Sequence, residues 1–228
     1  MTKVISLGGS IVAPELPDAP FIRDFAALVR EWLDSDDTRR VILVVGGGGP
    51  ARAWQRAYRE AVRDPDPNAQ DWIGIMATRL NAQLVKSLFL DICPHELVSD
   101  PTSISVFGGR VLVAGGWKPG FSTDYDSVIL AERFQADVII NLSNIARVYT
   151  ADPKTDPSAK PLDRISWKDF RLMVGDEWLP GKNVPFDPIA SRRAEELGMK
   201  VICAAGRDLE NLKAILNEKA FAGTTIGI

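Results

Sequence analysis

Short apolar, β-branched runs alternate along the chain with longer segments in which apolar residues recur at helical spacing. The runs at 4–7 and 41–45 are too short for helices and are typical of buried parallel strands. Between them, Phe21, Phe25, Leu28, Val29 and Leu33 follow the spacing of one helix face. This alternation predicts an α/β fold in which a mostly parallel sheet is covered by helices.

The same pattern continues to the end of the chain. Further strands are predicted at 111–114, 138–142 and 201–204, with a closing edge strand at 224–226. Further helices are predicted at 51–62, 72–90, 126–134, 166–174, 187–197 and 209–216. The stretch 149–162 is rich in Asp, Pro, Lys and Ser and is predicted to be a loop. Because no repeat or linker interrupts the pattern, residues 1–228 are predicted to form one domain.

Composition and charge narrow the classes of partner. The formal net charge of the 228 residues is -3, and no block of like charges occurs, so an extended nucleic-acid surface is not expected. No run reaches about 18 apolar residues and the N-terminus lacks an apolar signal segment. We therefore expect a cytoplasmic protein with no membrane partner.

Cysteine and histidine offer little chemistry. Cys93 and Cys203 lack metal-ligand spacing, so buried free thiols are expected. His95 is the only histidine, which excludes a multi-histidine metal site and argues against a Ser-His-Asp triad. It is expected to lie at the surface or in a turn.

Glycines follow three of the predicted strands. They stand at positions 8 and 9, 46 to 49, and 115 and 116. In an open α/β sheet, ligands bind outside the carboxyl ends of strands, where glycine lets backbone amides approach phosphate oxygens. The alternative for any single pair is a tight strand-to-helix turn. Four consecutive glycines exceed the needs of one turn and favour a phosphate site.

Two common phosphate motifs fit this chain poorly. No Gly-Lys-Ser/Thr follows a glycine run, which excludes a P-loop. Gly46, Gly48 and Ala51 satisfy G-x-G-x-x-A, but the acidic residues about 20 positions on, such as Asp66, lie beside a Pro-rich loop that leads into a helix. A dinucleotide-dependent oxidoreductase is therefore only a weak alternative.

Seven motifs, in chain order, resemble those of the archaeal-type uridylate (UMP) kinases of the amino acid kinase family. They are Leu-Gly-Gly-Ser at 7–10, Val-Val-Gly-Gly-Gly-Gly-Pro-Ala-Arg at 44–52, Thr-Arg-Leu-Asn-Ala at 78–82, Gly-Gly-Trp-Lys-Pro-Gly-Phe-Ser-Thr-Asp at 115–124, Val-Tyr-Thr-Ala-Asp-Pro-Lys at 148–154, Phe-Asp-Pro-Ile-Ala at 186–190 and Gly-Thr-Thr-Ile at 223–226. The resemblance implies a three-layer αβα sandwich with an N-terminal acceptor-binding part and a C-terminal ATP-binding part. It also implies transfer of a phosphoryl group from ATP to UMP in pyrimidine nucleotide biosynthesis, with Mg²⁺, in a homo-oligomer that is usually a hexamer.

The resemblance also assigns site residues. It implies an ATP site formed by Gly8, Gly9, Ser10, Gly48, Arg52, Ser143, Tyr149 and Asp152. It implies an acceptor site formed by Gly47, Asp71 and the loop Gly116, Trp117, Lys118, Pro119, Gly120, Phe121, Ser122 and Thr123. Asp124 and Lys182 are its catalytic candidates, and it names no protein ligand for the metal. Alternatives remain, since Asp71, Ser122 and Thr123 are also suited to cap helices and Asp152 to form a β-turn.

Several positions depart from the family pattern. Ser6 stands where related kinases commonly carry a lysine, and Lys3 lies three residues away on the same strand, so it points to the opposite face. Lys118 and Lys182 are the remaining candidates to supply that positive charge near the cleft.

Other departures concern the two nucleotide sites. Ser143 replaces a threonine, Trp117 stands where threonine is frequent, and Ala146 with Arg147 replaces Asp-Gly. Arg147 is a candidate for a new phosphate contact. These changes motivate a second hypothesis, a non-catalytic nucleotide or oxyanion binder of the same fold.

Overall fold

In the part of the chain that the structure describes, the central sheet has seven strands, and five of them run parallel in the order β3, β2, β1, β4, β8. The structure, a computed structural model, describes residues 1–136, 138–153, 155–175, 177 and 184–227. The strands are β1 Thr2–Leu7, β2 Arg40–Val45, β3 Val111–Ala114, β4 Val138–Ser143, β5 Val148–Tyr149, β6 Pro161–Leu162, β7 Arg164–Ile165, β8 Val201–Ala205 and β9 Thr224–Ile226. The helices are α1 Gly9–Val12, α2 Ala19–Asp34, α3 Gly48–Ala61, α4 Pro67–Lys86, α5 Thr123–Arg133, α6 Trp167–Val174, α7 Pro188–Glu196 and α8 Leu209–Leu216.

Successive strands are added on one side of β1 up to β3 and on its other side from β4 onward. Strands β2 and β3 follow on one side of β1, whereas β4 and β8 lie on its other side. The crevice outside the carboxyl ends of β1 and β4 is therefore the switch point at which open α/β sheets bind ligands.

Successive side chains of a strand pack on opposite faces of the sheet, and helices cover both faces, so the fold has three layers. In β1, Val4 packs in a core with residues of α5, α6 and α7, whereas Ile5 and Leu7 pack in a second core with residues of α1, α2 and α8. Because successive strand side chains point to opposite faces, one sheet serves both cores. The predicted α/β sandwich with a mostly parallel sheet is confirmed.

Helix α4 begins earlier than its apolar pattern predicts. Asp66 accepts hydrogen bonds from the backbone N–H groups of Asn68 and Ala69, and Pro67 occupies the first turn. Such a cap and proline extend the helix back from the predicted start at 72 to Pro67. Asp71 therefore lies inside α4, and the prediction that it could cap this helix is wrong.

Three other boundaries differ from expectation. Strand β9 is not the edge of the sheet, because β7 pairs with its outer side. The stretch 149–162 begins and ends in a small hairpin, in which β5 pairs with β6. Helix α5 begins at Thr123 rather than 126, because the Ser122 hydroxyl accepts the Tyr125 N–H. Strands of two residues carry no readable periodicity.

Two minor sequence expectations, the state of the thiols and the place of the histidine, are confirmed. Cys93 and Cys203 are buried and free. His95 lies in a bend, where its Nε2 accepts the Gly108 N–H at 2.6 Å. Among the described helices, none is long and apolar enough to cross a membrane.

Candidate functional site

The first two glycine turns are packed against each other at the switch point. The Gly8 N–H donates to the Leu142 carbonyl of β4 at 2.8 Å, and the Gly46 N–H donates to the Leu7 carbonyl at 3.0 Å. A Cβ atom built on Gly9 would lie closer than 3.0 Å to the backbone of residues 46 to 48. Gly48 has a φ of +63°, which favours glycine. The two turns thus form one backbone surface.

Helix α4 connects this surface to the third glycine turn. The Asn81 amide nitrogen donates to the carbonyls of Gly46 and Gly47 at 2.9 and 3.0 Å. One turn earlier, the Thr78 hydroxyl accepts the Gly116 N–H at 2.6 Å, and Arg79 Nε donates to the Gly116 carbonyl at 3.0 Å. All three turns therefore lie at the same edge of the sheet, at the carboxyl ends of β1, β2 and β3, and α4 contacts the second and third. The motif at 78–82 contains these residues, but the sequence did not predict that their hydrogen bonds connect the glycine turns.

Residues 116–123, hereafter the acceptor loop, are docked on α4. The Gly120 N–H donates to Asp71 Oδ2 at 3.2 Å, and Arg79 Nη2 donates to the Trp117 carbonyl at 2.8 Å. Asp71 is thus placed beside the acceptor loop, as the resemblance implies. It is the only acceptor-site candidate outside the glycine turns and that loop.

Aromatic side chains stack along the acceptor loop. The ring centroids of Trp117 and Phe121 lie 5.1 Å apart, and those of Phe121 and Tyr125 lie 4.6 Å apart. The Lys118 ammonium lies 3.8 Å from the Trp117 ring centroid. Such contacts favour one arrangement of the loop and keep a cation at its surface.

An acidic pair lies beneath the carboxyl end of β1. The Ser6 hydroxyl donates to Asp124 Oδ1 at 2.9 Å, and the Asp187 N–H donates to Asp124 Oδ2 at 3.2 Å. Burial, and then the nearby Asp187 charge, raises the pKa of Asp124 to about 6. Ser6 brings no charge, as expected, but it orients this carboxylate.

Asp187 is held on the other side of the pair. Its carboxylate accepts the Ala190 N–H at 2.7 Å and so caps α7. Burial raises its pKa, which the bonds from backbone N–H groups and from the Ser122 hydroxyl partly offset. Ser122 therefore both caps α5 and contacts the pair.

The remaining candidate ATP-site residues lie on α1, on α3 and from the end of β4 onward. Arg52 donates to the Ser10 hydroxyl at 3.4 Å and to the Pro14 carbonyl at 3.2 Å. The Ser143 hydroxyl accepts the Ile145 N–H at 3.1 Å, at the end of β4. Tyr149 pairs with Pro161 in the hairpin of β5 and β6, and the Asp152 carbonyl accepts the Thr155 N–H at 3.0 Å in a turn.

Three further basic residues that the sequence analysis considered are Lys3, Arg147 and Lys182. Lys3 is 2% exposed and its Nζ lies 3.1 Å from Glu218, on the face opposite Ser6, as predicted. Arg147 forms an ion pair with Asp163, so a phosphate contact would require this pair to open. Lys182 lies outside the described residues.

Comparisons with known proteins cover most of the chain and agree on one family. Residues 1–205 match the profile of the amino acid kinase family. The uridylate kinase of Methanospirillum hungatei is 34% identical over 99% of this chain and 94% of its own length, and that of Hyperthermus butylicus is 35% identical over 93% and 92%. The crystal structure of the uridylate kinase from Archaeoglobus fulgidus superposes with a TM-score of 0.84 at 35% identity and covers 99% of this chain and 100% of that one. The UMP kinase of Bacillus anthracis, at 19% identity and a TM-score of 0.77, shares the fold.

Proposed function

The chain belongs to the amino acid kinase family, and from this membership we propose that it transfers a phosphoryl group from ATP to UMP, giving ADP and UDP. The meeting of three glycine turns at one edge of the sheet, beside the partly exposed carboxylate of Asp124, supports this proposal most directly. We place the reaction in pyrimidine nucleotide biosynthesis and in the cytoplasm.

The proposed ATP phosphates lie over the first two glycine turns. The turns of Gly9 and Gly48 are packed together, so their backbone N–H groups are suited to bind one chain of phosphates, and Arg52 adds a permanent charge in the first turns of α3. Ser10 and Gly8 complete this turn, whereas Ser143, Tyr149 and Asp152 are proposed to hold the remainder of the nucleotide.

The proposed acceptor lies between Asp71 and the acceptor loop. Asp71 is suited to bind ribose hydroxyls, and the hydroxyls and amides of the loop are suited to bind phosphate. Because Asp71 now accepts the Gly120 N–H, acceptor binding must share or replace that bond.

Phosphoryl transfer needs positioning and positive charge rather than covalent catalysis. Asp124 orients groups at the point where the two substrates meet, held by Ser6 and by the Asp187 N–H. Lys118 and Arg52 are the cations that we propose near the transferred group, and Lys182 is a further candidate.

Magnesium is proposed to enter as part of MgATP. Among the described residues, no group of three His, Cys, Asp or Glu side chains is placed to hold a metal. Mg²⁺ in kinases is bound largely by phosphate oxygens and water, so such a cage is not required.

An ADP-release assay tests the activity. With MgATP, we expect turnover with UMP that exceeds turnover with CMP, AMP or a non-nucleotide acceptor. Equilibrium binding of ATP, measured in parallel, separates the two hypotheses. Binding of ATP without transfer to any acceptor would favour the non-catalytic binder, which Ser6, Ala146 and Arg147 motivate. The oxidoreductase alternative is not favoured, since the relatives are uridylate kinases.

We also propose that the chain forms a homo-oligomer, a hexamer as the resemblance implies, through α3 and α4. No residue of α3 is buried, and Trp54 on it is 67% exposed. On α4, Trp72, Met76, Leu80 and Leu84 recur every four residues and are all exposed. An apolar row of this length on a protein surface marks an interaction site.

Leu80→Glu is expected to dissociate the oligomer, because it places a charge in the middle of this row. The mass in solution, measured by light scattering, should fall to that of a smaller species. Leu172→Glu, which replaces an equally exposed leucine on α6, is the matched control and should leave the mass unchanged. An unchanged mass for Leu80→Glu would exclude this face.

A further inference from the structure

A fully buried carboxyl group contacts the acceptor loop. Asp126 lies in the first turn of α5 and is 0% exposed. Its Oδ2 accepts the backbone N–H of Trp117 at 3.1 Å, whereas its Oδ1 has no hydrogen-bond partner among the described residues. A buried, unpaired polar atom is costly, so stability alone does not explain this aspartate.

The surroundings of Asp126 favour its protonated form. Burial raises the pKa of its carboxyl group to about 8, although the Trp117 N–H bond opposes the shift. The charges of Asp124, on the same helix, and of Asp100 raise this pKa further, and the Arg79 guanidinium lowers it. The charge of Asp187, at the N-cap of α7, in turn raises the pKa of Asp124.

We propose, on the basis of the kinase function above, that Asp126 is a positioning residue whose neutral carboxyl group holds the acceptor loop in its acceptor-binding arrangement. In that form the carbonyl oxygen accepts the Trp117 N–H, and no unpaired negative charge is buried behind the loop. The carboxyl group thereby fixes the backbone at the first turn of the loop.

Arg79 makes the arrangement sensitive to the charge of Asp126. Its guanidinium donates to the carbonyls of Gly116 and Trp117, so it holds the same end of the loop. An ionised Asp126 attracts this guanidinium more strongly than neutral carbonyls do, because charge-assisted bonds are stronger. The Trp117 N–H bond survives ionisation, but the loop loses the ties from Arg79.

Acceptor affinity should therefore weaken as the pH rises through 8, while ATP affinity should not. We would measure KM for UMP and kcat between pH 6.5 and 9.5 for the wild type and Asp126→Asn. Asparagine retains an acceptor for the Trp117 N–H and cannot ionise. The neutral fraction of Asp126 falls from roughly nine-tenths at pH 7 to about one-tenth at pH 9, so the wild-type KM should rise about tenfold.

The variant should show no such rise, and its KM at pH 7 should stay within about twofold of the wild type. An equal rise in both proteins would overturn the proposal. A purely structural role would lower the activity of Asp126→Asn at every pH and leave the shape of the profile unchanged, which would overturn it too.

Chymotrypsin provides a readout that does not depend on turnover, because the loop contains Trp117 and Phe121. Cleavage within the loop, relative to a free peptide of residues 115–124 at the same pH, should be several-fold faster at pH 9 than at pH 7 in the wild type only. Equal cleavage ratios in wild type and Asp126→Asn would count against the proposal. If the wild type fails to phosphorylate UMP at every pH, the proposed function fails, and the cleavage comparison still decides the role of Asp126.

Discussion

Gly9→Ala is expected to lower kcat/KM for ATP by at least about 100-fold, because it forces apart the two glycine turns on which the phosphates are proposed to lie. The added Cβ would lie closer than 3.0 Å to backbone atoms of residues 46 to 48. Backbone cannot move aside as a flexible side chain can, so the turns must separate. We also expect a loss of about 3 kcal/mol in the free energy of unfolding, near the upper end for overpacked sites.

Steady-state kinetics and denaturant unfolding measure the two effects. Gly198→Ala is the matched control: Gly198 has a φ of +64°, but among the described residues beyond its two chain neighbours, none has an atom within 4 Å of its Cβ position. It precedes β8 and so lies at the opposite end of the strands from the cleft. The control should cost about 1 kcal/mol of stability and leave kcat/KM unchanged. Normal kinetics for Gly9→Ala would show that the two turns do not form one nucleotide surface.

The strands and long helices were predictable because their signals are local. The runs at 111–114 and 209–216 match β3 and α8 to the residue, since an apolar run or helical spacing defines each element by itself. The start of α4 was missed because the cap at Asp66 is a polar signal outside the apolar pattern. Strand β7 was missed because two residues, Arg164 and Ile165, are ordered only by pairing with β9.

The cleft was partly predictable for a topological reason. Parallel strands end at the same edge of a sheet, so glycines that follow three such strands meet there. The contacts around Asp124 were not predictable in this way. Its partners are Ser6 on β1 and Asp187 at the N-cap of α7, and only the folded chain brings them together. The burial of Asp126 likewise could not be predicted from the sequence, because a polar residue within a helical pattern is normally exposed.

Asp124→Asn is expected to lower kcat by at least about 100-fold, since electrostatic preorganisation is usually the largest contribution to such reactions. Asparagine fits the same contacts: its oxygen can accept the Asp187 N–H, and its amide nitrogen can donate to the Ser6 oxygen. Charge is therefore the main change. Ser6→Ala, which removes one hydrogen bond to the same carboxylate but leaves its charge, is the control and should cost no more than about tenfold.

Asp124→Asn should also leave the protein no less stable than the wild type, which separates a role of Asp124 in catalysis from a role in folding. A carboxyl group whose pKa rises from 3.8 to about 6 on folding binds its proton more tightly in the folded state. Its contribution to stability is complete below pH 4 and is lost as the pH rises through 6, so ionised Asp124 opposes folding at pH 8. Asp124→Asn removes that penalty and should raise the unfolding free energy at pH 8 by about 1–2 kcal/mol, less than the full shift implies because the side chain is partly exposed. Wild-type kcat should rise through pH 6 as Asp124 ionises, whereas the residual kcat of the variant should not. If the variant instead unfolds more readily than the wild type at pH 8, its lost activity would be a folding defect, and the role proposed for Asp124 would have to be withdrawn.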